Sequence, residues 1–379
     1  MLRLFKLAAL VALPITALPS TPKPLKSTTL PNGQVIDWIP ISAQGKIASP
    51  PPLPPKRRQE NIALKPHVDA LTGSGLNGPP GTVPIVRAST KQPYPPKHLP
   101  DHTDGVAQSK IAAGSAGQHW YASSGQAVDN HGGGAVFSLY KAFVERPLDF
   151  SLLQTAVIRN GASNAKYGNV TQTVESGWIN YPGQVDGPHL FTYFTTVGYQ
   201  QDSDNLGGWN RDVSGWVQTD KDIYPGLQFN PLSVDGGAQY DLHIEYKLFQ
   251  GNWWLYVLDR YIGYYPASLF SQGVDPASTL ADHSSLIDFY GEIYNSADAL
   301  TTTDMGSGQF PEAGFGHAAY MHNIVYTDTN NNPQNYDGGA QIQESDRSRY
   351  RIIPSFNSGT SWGSFAYLGG PGAGGVIGG

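Results

Sequence analysis

Two glutamates in the second part of the chain lie in apolar, aromatic surroundings that suit acid–base chemistry. Glu175 belongs to the run Val-Glu-Ser-Gly-Trp-Ile of residues 174–179, and Glu292 to the run Phe-Tyr-Gly-Glu-Ile-Tyr of residues 289–294. Two carboxyl groups that meet across a groove cannot both ionise easily, so they share one proton and the pKa of one of them rises. One group can then activate water while the other protonates a carbonyl oxygen or a leaving group. The other glutamates beyond residue 110 are Glu145, Glu245, Glu312 and Glu344.

The neighbours of both glutamates favour a substrate groove. In a strand, alternation places Glu175 and Gly177 on one face, where the glycine would leave open space beside the carboxylate. The same alternation puts Tyr290 and Tyr294 on either side of Glu292, where two phenols would desolvate the carboxylate and donate hydrogen bonds to it. The alternative interpretation is that each glutamate is an outward-facing sheet residue or half of an ion pair.

Other catalytic chemistries find little support in the sequence. The chain has no cysteine, so it has neither disulfides nor a cysteine nucleophile. It contains no G-x-S-x-G and no H-E-x-x-H motif, and its histidines are scattered. The members of a Ser-His-Asp triad need not be adjacent in sequence, but no motif indicates one. We therefore expect no metal and no cofactor.

The elements that carry the glutamates are predicted to be short antiparallel strands. From about residue 111, aromatic-rich runs alternate with Gly, Asn and Asp turns, which is typical of an all-β, two-sheet sandwich of the jelly-roll or concanavalin-like kind. Gln250-Gly251 reads as a tight hairpin turn. The predicted strands are 134–143, 152–159, 174–179, 190–196, 240–249, 252–258, 286–294, 318–326 and 350–355.

The sequence divides into four predicted parts. Residues 1–20 have a basic start and a short apolar run, which is typical of a signal peptide and predicts secretion. Residues 21–115 are proline-rich and are interpreted as a prosegment with one strand near 32–41, the alternative being a disordered linker. Residues 116–368 form the predicted catalytic domain. Residues 369–379 are a Gly-rich tail that we expect to be loose.

Charge is distributed unevenly between these parts. Residues 21–110 contain 11 Lys/Arg and 5 Asp/Glu, whereas residues 111–379 contain 11 Lys/Arg and 25 Asp/Glu. A basic prosegment is attracted to an acidic body, and acid weakens that attraction by neutralising carboxylates. The acidic body argues against nucleic acid as a partner. The apolar run near the N-terminus is too short to span a bilayer, so no membrane partner is expected.

Several motifs, in one order along the chain, resemble the neprosin-like glutamic peptidase family. They cover most of the chain from about residue 30 to about residue 325, and their common order makes the resemblance specific. The motifs are Asn32 to Ile41, Gly81-Thr82-Val83-Pro84-Ile85, His119-Trp120-Tyr121-Ala122, Glu175-Ser176-Gly177-Trp178, Gly251-Asn252-Trp253-Trp254-Leu255, Ile262 to Phe270, Tyr290-Gly291-Glu292-Ile293 and Met305 to Pro311.

The resemblance implies a β-sandwich peptidase that is active in acid, is held by an inhibitory prosegment and cuts peptides, with Glu175 and Glu292 as catalytic residues. Family members are associated with cleavage beside proline. Candidate walls of the peptide groove are Trp178, Tyr193, Tyr199, Trp253, Tyr290 and Tyr294. The stretch Pro40 to Pro55 is a candidate pseudo-substrate, because an extended proline-rich segment resembles a post-proline substrate.

One departure from the family concerns the loop between the glutamates. Plant members have a cysteine pair there, whereas residues 204–226 contain none. We expect packing to hold this loop instead, through Trp209 and Trp216.

Two other functions also fit a carboxylate pair in an aromatic-lined sandwich. A glycoside hydrolase would use the same two groups on a sugar. A non-catalytic carbohydrate-binding module would use only the aromatic side chains.

Overall fold

The computed structural model describes residues 22–54, 76–88, 93–100, 116–338 and 341–379. The predicted signal peptide and residues 101–115, which precede the predicted catalytic domain, lie outside the described residues. The described part is nearly all-β, with large curled antiparallel sheets, and this confirms the predicted sandwich class. None of its helices has the length and apolar character that a membrane crossing requires.

A small three-stranded sheet comes from the predicted prosegment. Its strands are β1 (Lys26–Thr29), β2 (Val35–Pro40) and β3 (Thr82–Val86), in the order β1-β2-β3. Alternation along β2 turns Ile36 and Trp38 inward, and both side chains belong to the main hydrophobic core. The prosegment sheet is therefore packed on the body through its apolar face.

The remaining strands build one large sheet that curls on itself. Short 3₁₀ turns interrupt the described chain at Ile41–Gln44, Ala267–Leu269, Pro276–Ser278, Pro311–Ala313 and Gly372–Gly374. The strands are β4 (Gln118–Ser138), β5 (Phe150–Asn164), β6 (Gly168–Tyr181), β7 (Val185–Thr195), β8 (Gly207–Trp209), β9 (Val217–Gln218), β10 (Asp241–Phe249), β11 (Asn252–Val257), β12 (Arg260–Pro266), β13 (Ser284–Asn295), β14 (Ala319–Asp328), β15 (Pro333–Asn335), β16 (Ile342–Glu344), β17 (Arg351–Ser355) and β18 (Phe365–Gly369).

Strand β4 joins the two layers of the sandwich. Its first half pairs with β13, with Tyr121 opposite Glu292, and its second half pairs with β10, with Phe137 opposite Leu242. The main path of the sheet runs β8-β7-β6-β5-β13-β4-β10-β11-β12-β9. At the bend, a Cβ on Gly133 would lie 2.4 Å from the carbonyl oxygen of Val325, so only glycine lets the strands approach this closely.

The predicted tail is partly packed against the body, whereas we expected it to be loose. Gly369 ends β18, and Gly370 and Gly372 are buried. A Cβ on Gly372 would meet the backbone of Thr302 at 2.7 Å, so this turn fits closely against the body. Residues 373–379 are exposed.

Candidate active site

Sheet register brings the two glutamates to one face of three adjacent strands. Strand β5 lies between β6 and β13. On β5, Ala156 is opposite Glu175, and Leu152 is opposite Glu292. Gln154 is therefore on the same face, midway between the two carboxylates. All three polar side chains are fully buried.

Glu175 is held by neutral donors. Its Oε1 accepts hydrogen bonds from the hydroxyls of Tyr199 at 2.5 Å and Thr173 at 2.9 Å. Its Oε2 accepts from the Gln154 amide at 2.7 Å and from the Tyr290 hydroxyl at 3.3 Å. Four neutral donors therefore surround this buried carboxylate and satisfy its hydrogen-bonding capacity.

Glu292 is held by cationic and imidazole nitrogens. Its Oε2 lies 2.5 Å from Lys97 Nζ, and its Oε1 lies 2.6 Å from His119 Nδ1. Burial alone would raise the pKa of Glu292, but Lys97 and His119 together hold this pKa below its ordinary value. The two glutamates therefore sit in different electrostatic environments although they share one site.

Lys97 connects both carboxylates and comes from the predicted prosegment. Besides Glu292, its Nζ lies 2.7 Å from Gln154 Oε1 and 3.3 Å from Glu175 Oε2. The side chain is fully buried. A lysine is almost never fully buried unless it is paired, and here two carboxylates provide the pairing. One ammonium group thus occupies the space between the two glutamates.

The residues around Lys97, 93–100, lie across the groove and are called the docked segment below. The Tyr181 hydroxyl donates to the carbonyl oxygen of Pro93 at 2.9 Å, and Trp209 Nε1 donates to that of Pro95 at 3.0 Å. Side chains of the body therefore hold the main chain of this segment at two carbonyls, two residues apart.

The predicted pseudo-substrate, Pro40 to Pro55, does not contact the glutamates in the part that the structure describes. Gln44 exchanges hydrogen bonds with the backbone of Gln218, and the backbone N–H of Ala48 donates to the Tyr264 hydroxyl. This stretch packs on β9 and β12 instead. The prediction chose the longest run of prolines, and the shorter Pro-Pro-Lys run of the docked segment occupies the site.

Four of the predicted groove residues lie close to the glutamates, and one of them is Tyr199, which donates to Glu175. The Tyr290 hydroxyl contacts Gln154 as well as Glu175. The Tyr193 ring is parallel to the ring of Tyr199 with centroids 5.8 Å apart. The Tyr294 ring is stacked on Phe150 at 5.5 Å and lies 5.0 Å from His119. Aromatic side chains therefore surround the two glutamates, and their role as walls of a peptide groove stays a prediction.

Two predicted groove residues, Trp178 and Trp253, were assigned wrongly. Both are fully buried in the main core, where Trp178 Nε1 donates to the carbonyl oxygen of Ser138 and Trp253 Nε1 to that of Leu280. Trp178 is three residues from Glu175, so strand alternation directs its side chain to the opposite face. That signal was present in the sequence.

The expected surroundings of the glutamates also need correction. Gly177 provides no open space, because a Cβ there would lie 1.9 Å from the carbonyl oxygen of Leu153. This glycine permits close strand packing. The Tyr290 hydroxyl contacts Glu175 rather than Glu292, and the Tyr294 ring packs on other aromatic rings. The predicted pair of phenol donors to Glu292 is therefore wrong.

Sequence reasoning missed Gln154, Lys97 and His119. A lone amide in the apolar run 152–158 was a signal for Gln154, but only register could place it between the glutamates. His119 belongs to the motif His-Trp-Tyr-Ala, but only the pairing of β4 with β13 places it beside Glu292. Nothing in the sequence distinguished Lys97 from the other prosegment lysines. Within the described ranges, no three His, Cys, Asp or Glu side chains come together as metal ligands.

The loop between the glutamates is held by tryptophans, as predicted. Trp209 is almost fully buried against the docked segment. Trp216 is fully buried in the core, and its Nε1 donates to Gln218 Oε1 at 2.9 Å. Packing thus supplies the constraint that a cysteine pair gives elsewhere.

Comparison with known proteins gives one family match and a structural similarity. Residues 147–371, more than half of the chain, match the family described as Neprosin. Among solved structures, the chain is similar to the crystal structure of scytalido-glutamic peptidase with a peptide-based transition-state analogue. That similarity has 9% sequence identity and a TM-score of 0.33, and it covers 66% of this chain and 97% of the other. The family match includes both Glu175 and Glu292.

Proposed function

Because this chain belongs to the neprosin family of glutamic peptidases, it is a hydrolase of peptide bonds, and we propose that Glu175 and Glu292 are its catalytic pair. The observation that carries the proposal is the Lys97 ammonium, which contacts both carboxylates in one buried site. Two carboxylates within reach of a single nitrogen are also within reach of a single water. The family assignment favours peptides over the sugar substrates that would suit a similar pair.

The different surroundings of the glutamates support different roles. Glu292 is adjacent to His119, which stabilises the ionised form, so Glu292 is the general base that takes a proton from water. The resulting oxygen attacks the peptide carbonyl carbon. Glu175, surrounded by neutral donors, is protonated in the active form and gives its proton to the carbonyl oxygen. When the tetrahedral intermediate collapses, one of its hydroxyls returns a proton to Glu175 and the carbonyl re-forms. The C–N bond breaks, and the proton held by Glu292 passes to the leaving amine.

This mechanism predicts an acid-active enzyme. One carboxyl must carry a proton while the other is ionised, and the ordinary pKa of glutamate is near 4.3. The rate is therefore expected to be maximal below about pH 5. The basic limb of the pH profile reports loss of the proton from Glu175, and the acid limb reports protonation of Glu292.

The same geometry supports synthesis as an inactive precursor. The docked segment covers the groove, and Lys97 occupies the place between the carboxylates, so neither a peptide nor the attacking water can enter. The prosegment is then an intramolecular inhibitor. Secretion, cleavage near residue 115 and a preference for sites beside proline belong to this proposal. The prolines of the docked segment, at positions 93, 95, 96 and 100, support the last of these.

Substitution of each glutamate by glutamine tests the catalytic pair. Glu175→Gln and Glu292→Gln keep the shape of the side chain but cannot exchange the proton, so peptide hydrolysis at pH 4 should fall at least about a thousandfold. Glu245→Gln, a buried glutamate paired with His243, is the matched control and should retain full activity. Retention of more than a few per cent of the rate by Glu175→Gln contradicts the assignment.

Incubation of the full chain at pH 3 and at pH 7 tests the precursor. Self-trimming near residue 115 is expected at pH 3 only, and it should disappear in Glu292→Gln. Mass spectrometry of the N-terminal fragment identifies the cut. Turnover of a polysaccharide without cleavage of any peptide would contradict the peptidase assignment itself.

A further inference from the structure

The docked segment places a tyrosine in a pocket that the catalytic mechanism does not use. Tyr94 lies three residues before Lys97, and its ring is stacked on Trp209 with centroids 4.7 Å apart. The ring of Tyr181 lies 5.2 Å away on another side. His189 and Asn210 complete the surroundings, and the four body residues are called the aromatic pocket below.

The hydrogen-bonding partners of His189 fix its tautomer and make Nε2 a hydrogen-bond acceptor. It is fully buried, and its Nδ1 lies 3.0 Å from the carbonyl oxygen of Gly187. A carbonyl can only accept, so Nδ1 carries the hydrogen and Nε2 has the free lone pair. The Tyr94 hydroxyl lies 2.8 Å from Nε2 and donates to it. Burial lowers the pKa of His189 to about 4, although the hydrogen bond to Gly187 acts in the opposite direction. The ring is therefore neutral above about pH 4.

The side-chain amide of Asn210 is oriented so that its nitrogen is the hydrogen-bond donor in the pocket. Its Oδ1 accepts from the backbone N–H of Thr192 at 3.0 Å, so its amide nitrogen is the group left to face the Tyr94 oxygen, with which Asn210 is hydrogen-bonded. The phenol therefore donates to His189 and accepts from Asn210. Both partners are oriented by the backbone of β7, which belongs to the body and not to the prosegment.

All four residues of the pocket belong to the body, so cleavage of the prosegment does not remove them. Removal of Tyr94 would uncover the face of Trp209 and two oriented polar atoms next to the catalytic groove. An exposed aromatic surface with a few convergent polar groups at its base is characteristic of a ligand site. The Tyr181 hydroxyl and Trp209 Nε1 bind backbone carbonyls, which every peptide possesses.

We infer that the aromatic pocket is a specificity subsite of the peptidase, which binds a tyrosine side chain of the substrate three residues before the residue that lies between Glu175 and Glu292. This inference rests on the proposed function. His189 and Asn210 select the phenol hydroxyl, because phenylalanine in the same place leaves a buried acceptor and a buried donor unpaired. Alanine also leaves the face of Trp209 uncovered.

Peptide hydrolysis by the acid-activated wild-type enzyme tests the selection. Three peptides have the frame Pro-Xaa-Pro-Pro-Gln-His-Leu, where Xaa is Tyr, Phe or Ala and Gln replaces the lysine so that no ammonium reaches the carboxylates. At pH 5, His189 is neutral, and kcat/KM should be about tenfold higher for Tyr than for Phe and lower still for Ala. Equal values for Tyr and Phe would overturn the inference.

A variant of the pocket separates selection from general damage. His189→Leu removes the acceptor, so the ratio of kcat/KM between the Tyr and Phe peptides should fall to about one. His189→Gln restores an acceptor and should recover part of the ratio. A wild-type ratio that persists in His189→Leu contradicts the role of His189. If His189→Leu does not fold, the peptide series on the wild-type enzyme still decides.

A labelling experiment on the intact precursor is independent of catalysis. Acetic anhydride at pH 7 modifies exposed lysines, and the buried Lys97 should be protected while the docked segment stays in place. Tyr94→Ala should increase acetylation of Lys97 about tenfold and Tyr94→Phe several-fold, with the exposed Lys46 as the internal reference. No change in Tyr94→Ala would overturn the inference. If no peptide is hydrolysed, the proposed peptidase function is contradicted, but the labelling result still shows whether Tyr94 binding in the aromatic pocket holds the docked segment.

Discussion

At the scale of single residues, the two glutamates differ in what surrounds them more than in where they lie. Both are fully buried on one sheet face. Lys97 lies within reach of both carboxylates. Among the residues of the body, Glu292 has His119, which can carry positive charge, whereas Glu175 has hydroxyl and amide donors. Different environments give two identical side chains different protonation states, and this is the basis for assigning separate acid and base roles.

His119→Gln tests the electrostatic part of this difference. Glutamine can still donate a hydrogen bond to Glu292 but cannot become a cation, so the pKa of Glu292 should rise. The acid limb of kcat/KM should then move to higher pH by about one unit. His317→Gln, a half-exposed histidine paired with Asp235, is the control. A pH profile with an unmoved acid limb would show that His119 has no effect on Glu292.

Tyr199→Phe tests the other carboxylate. The Tyr199 hydroxyl donates to Glu175 at 2.5 Å, and its loss destabilises the ionised form of Glu175. The basic limb of kcat/KM should therefore move to higher pH while the acid limb stays in place. Tyr326→Phe, on β14, should leave both limbs unchanged. A shift of the acid limb in Tyr199→Phe would contradict the separate roles.

At the scale of elements, the sequence predicted the strands that alternate strongly and missed those that do not. Strands β10, β11, β13, β14 and β17 were predicted to within two residues at each end, because aromatic and branched side chains recur along them. Strands β5 and β6 extend five or six residues beyond the prediction at one end. The first half of β4 was missed. Its Ser, Gly, Gln and Asn residues resemble a loop, and it is a strand because β13 pairs along its length.

The candidate site shows the same limit. Motifs predicted Glu175 and Glu292, and alternation predicted which neighbours share their faces. Whether the two strands are adjacent to a common third strand depends on non-local pairing, which no local pattern contains. The position of Gln154 between the carboxylates follows only from the register of β5 with β6 and β13.

Gly177→Ala tests the close packing of β5 and β6. A Cβ at this position would lie 1.9 Å from the carbonyl oxygen of Leu153. Because that oxygen belongs to the backbone of β5, the clash is relieved only if β5 and β6 move apart. The melting temperature should fall by about 5 °C or more. Gly374→Ala is the control, because a Cβ there would make only an ordinary contact at 3.5 Å with Thr302. Equal melting temperatures for the two variants would contradict this interpretation of Gly177.

At the scale of the whole molecule, the proposed inhibition by the prosegment is expected to depend on acid. The pKa of Glu292 is held below its ordinary value of 4.5 while Lys97 is in place. Docking is therefore favoured while Glu292 is ionised, and it weakens as the pH falls through that lowered value. The pKa of His98, which contacts His119 at 5.0 Å, is lowered by partial desolvation and then by His119. Below pH 6.5, the ordinary pKa of histidine, protonation of His98 therefore also weakens docking.

Lys97→Met tests whether the ammonium holds the precursor inactive. Methionine has similar length without charge, so the carboxylates lose their shared cation and take up a proton between them. The intact precursor should cleave a small peptide at pH 5 without the lag of the wild type. Lys46→Met, an exposed lysine of the prosegment, should keep the lag. An unchanged lag in Lys97→Met would mean that steric cover alone causes latency.

The proposed activation by cleavage would be difficult to reverse, because it breaks the covalent connection between the docked segment and the body. A segment that belongs to the same chain as its binding site is present there at an effective concentration that reaches the millimolar range for short links. After the chain is cut, the segment must compete at the bulk concentration of the protein, which is lower by orders of magnitude. Binding of the docked segment that is strong enough to inhibit the intact precursor can thus be too weak to inhibit the cleaved enzyme. Dilution alone then makes the proposed activation irreversible.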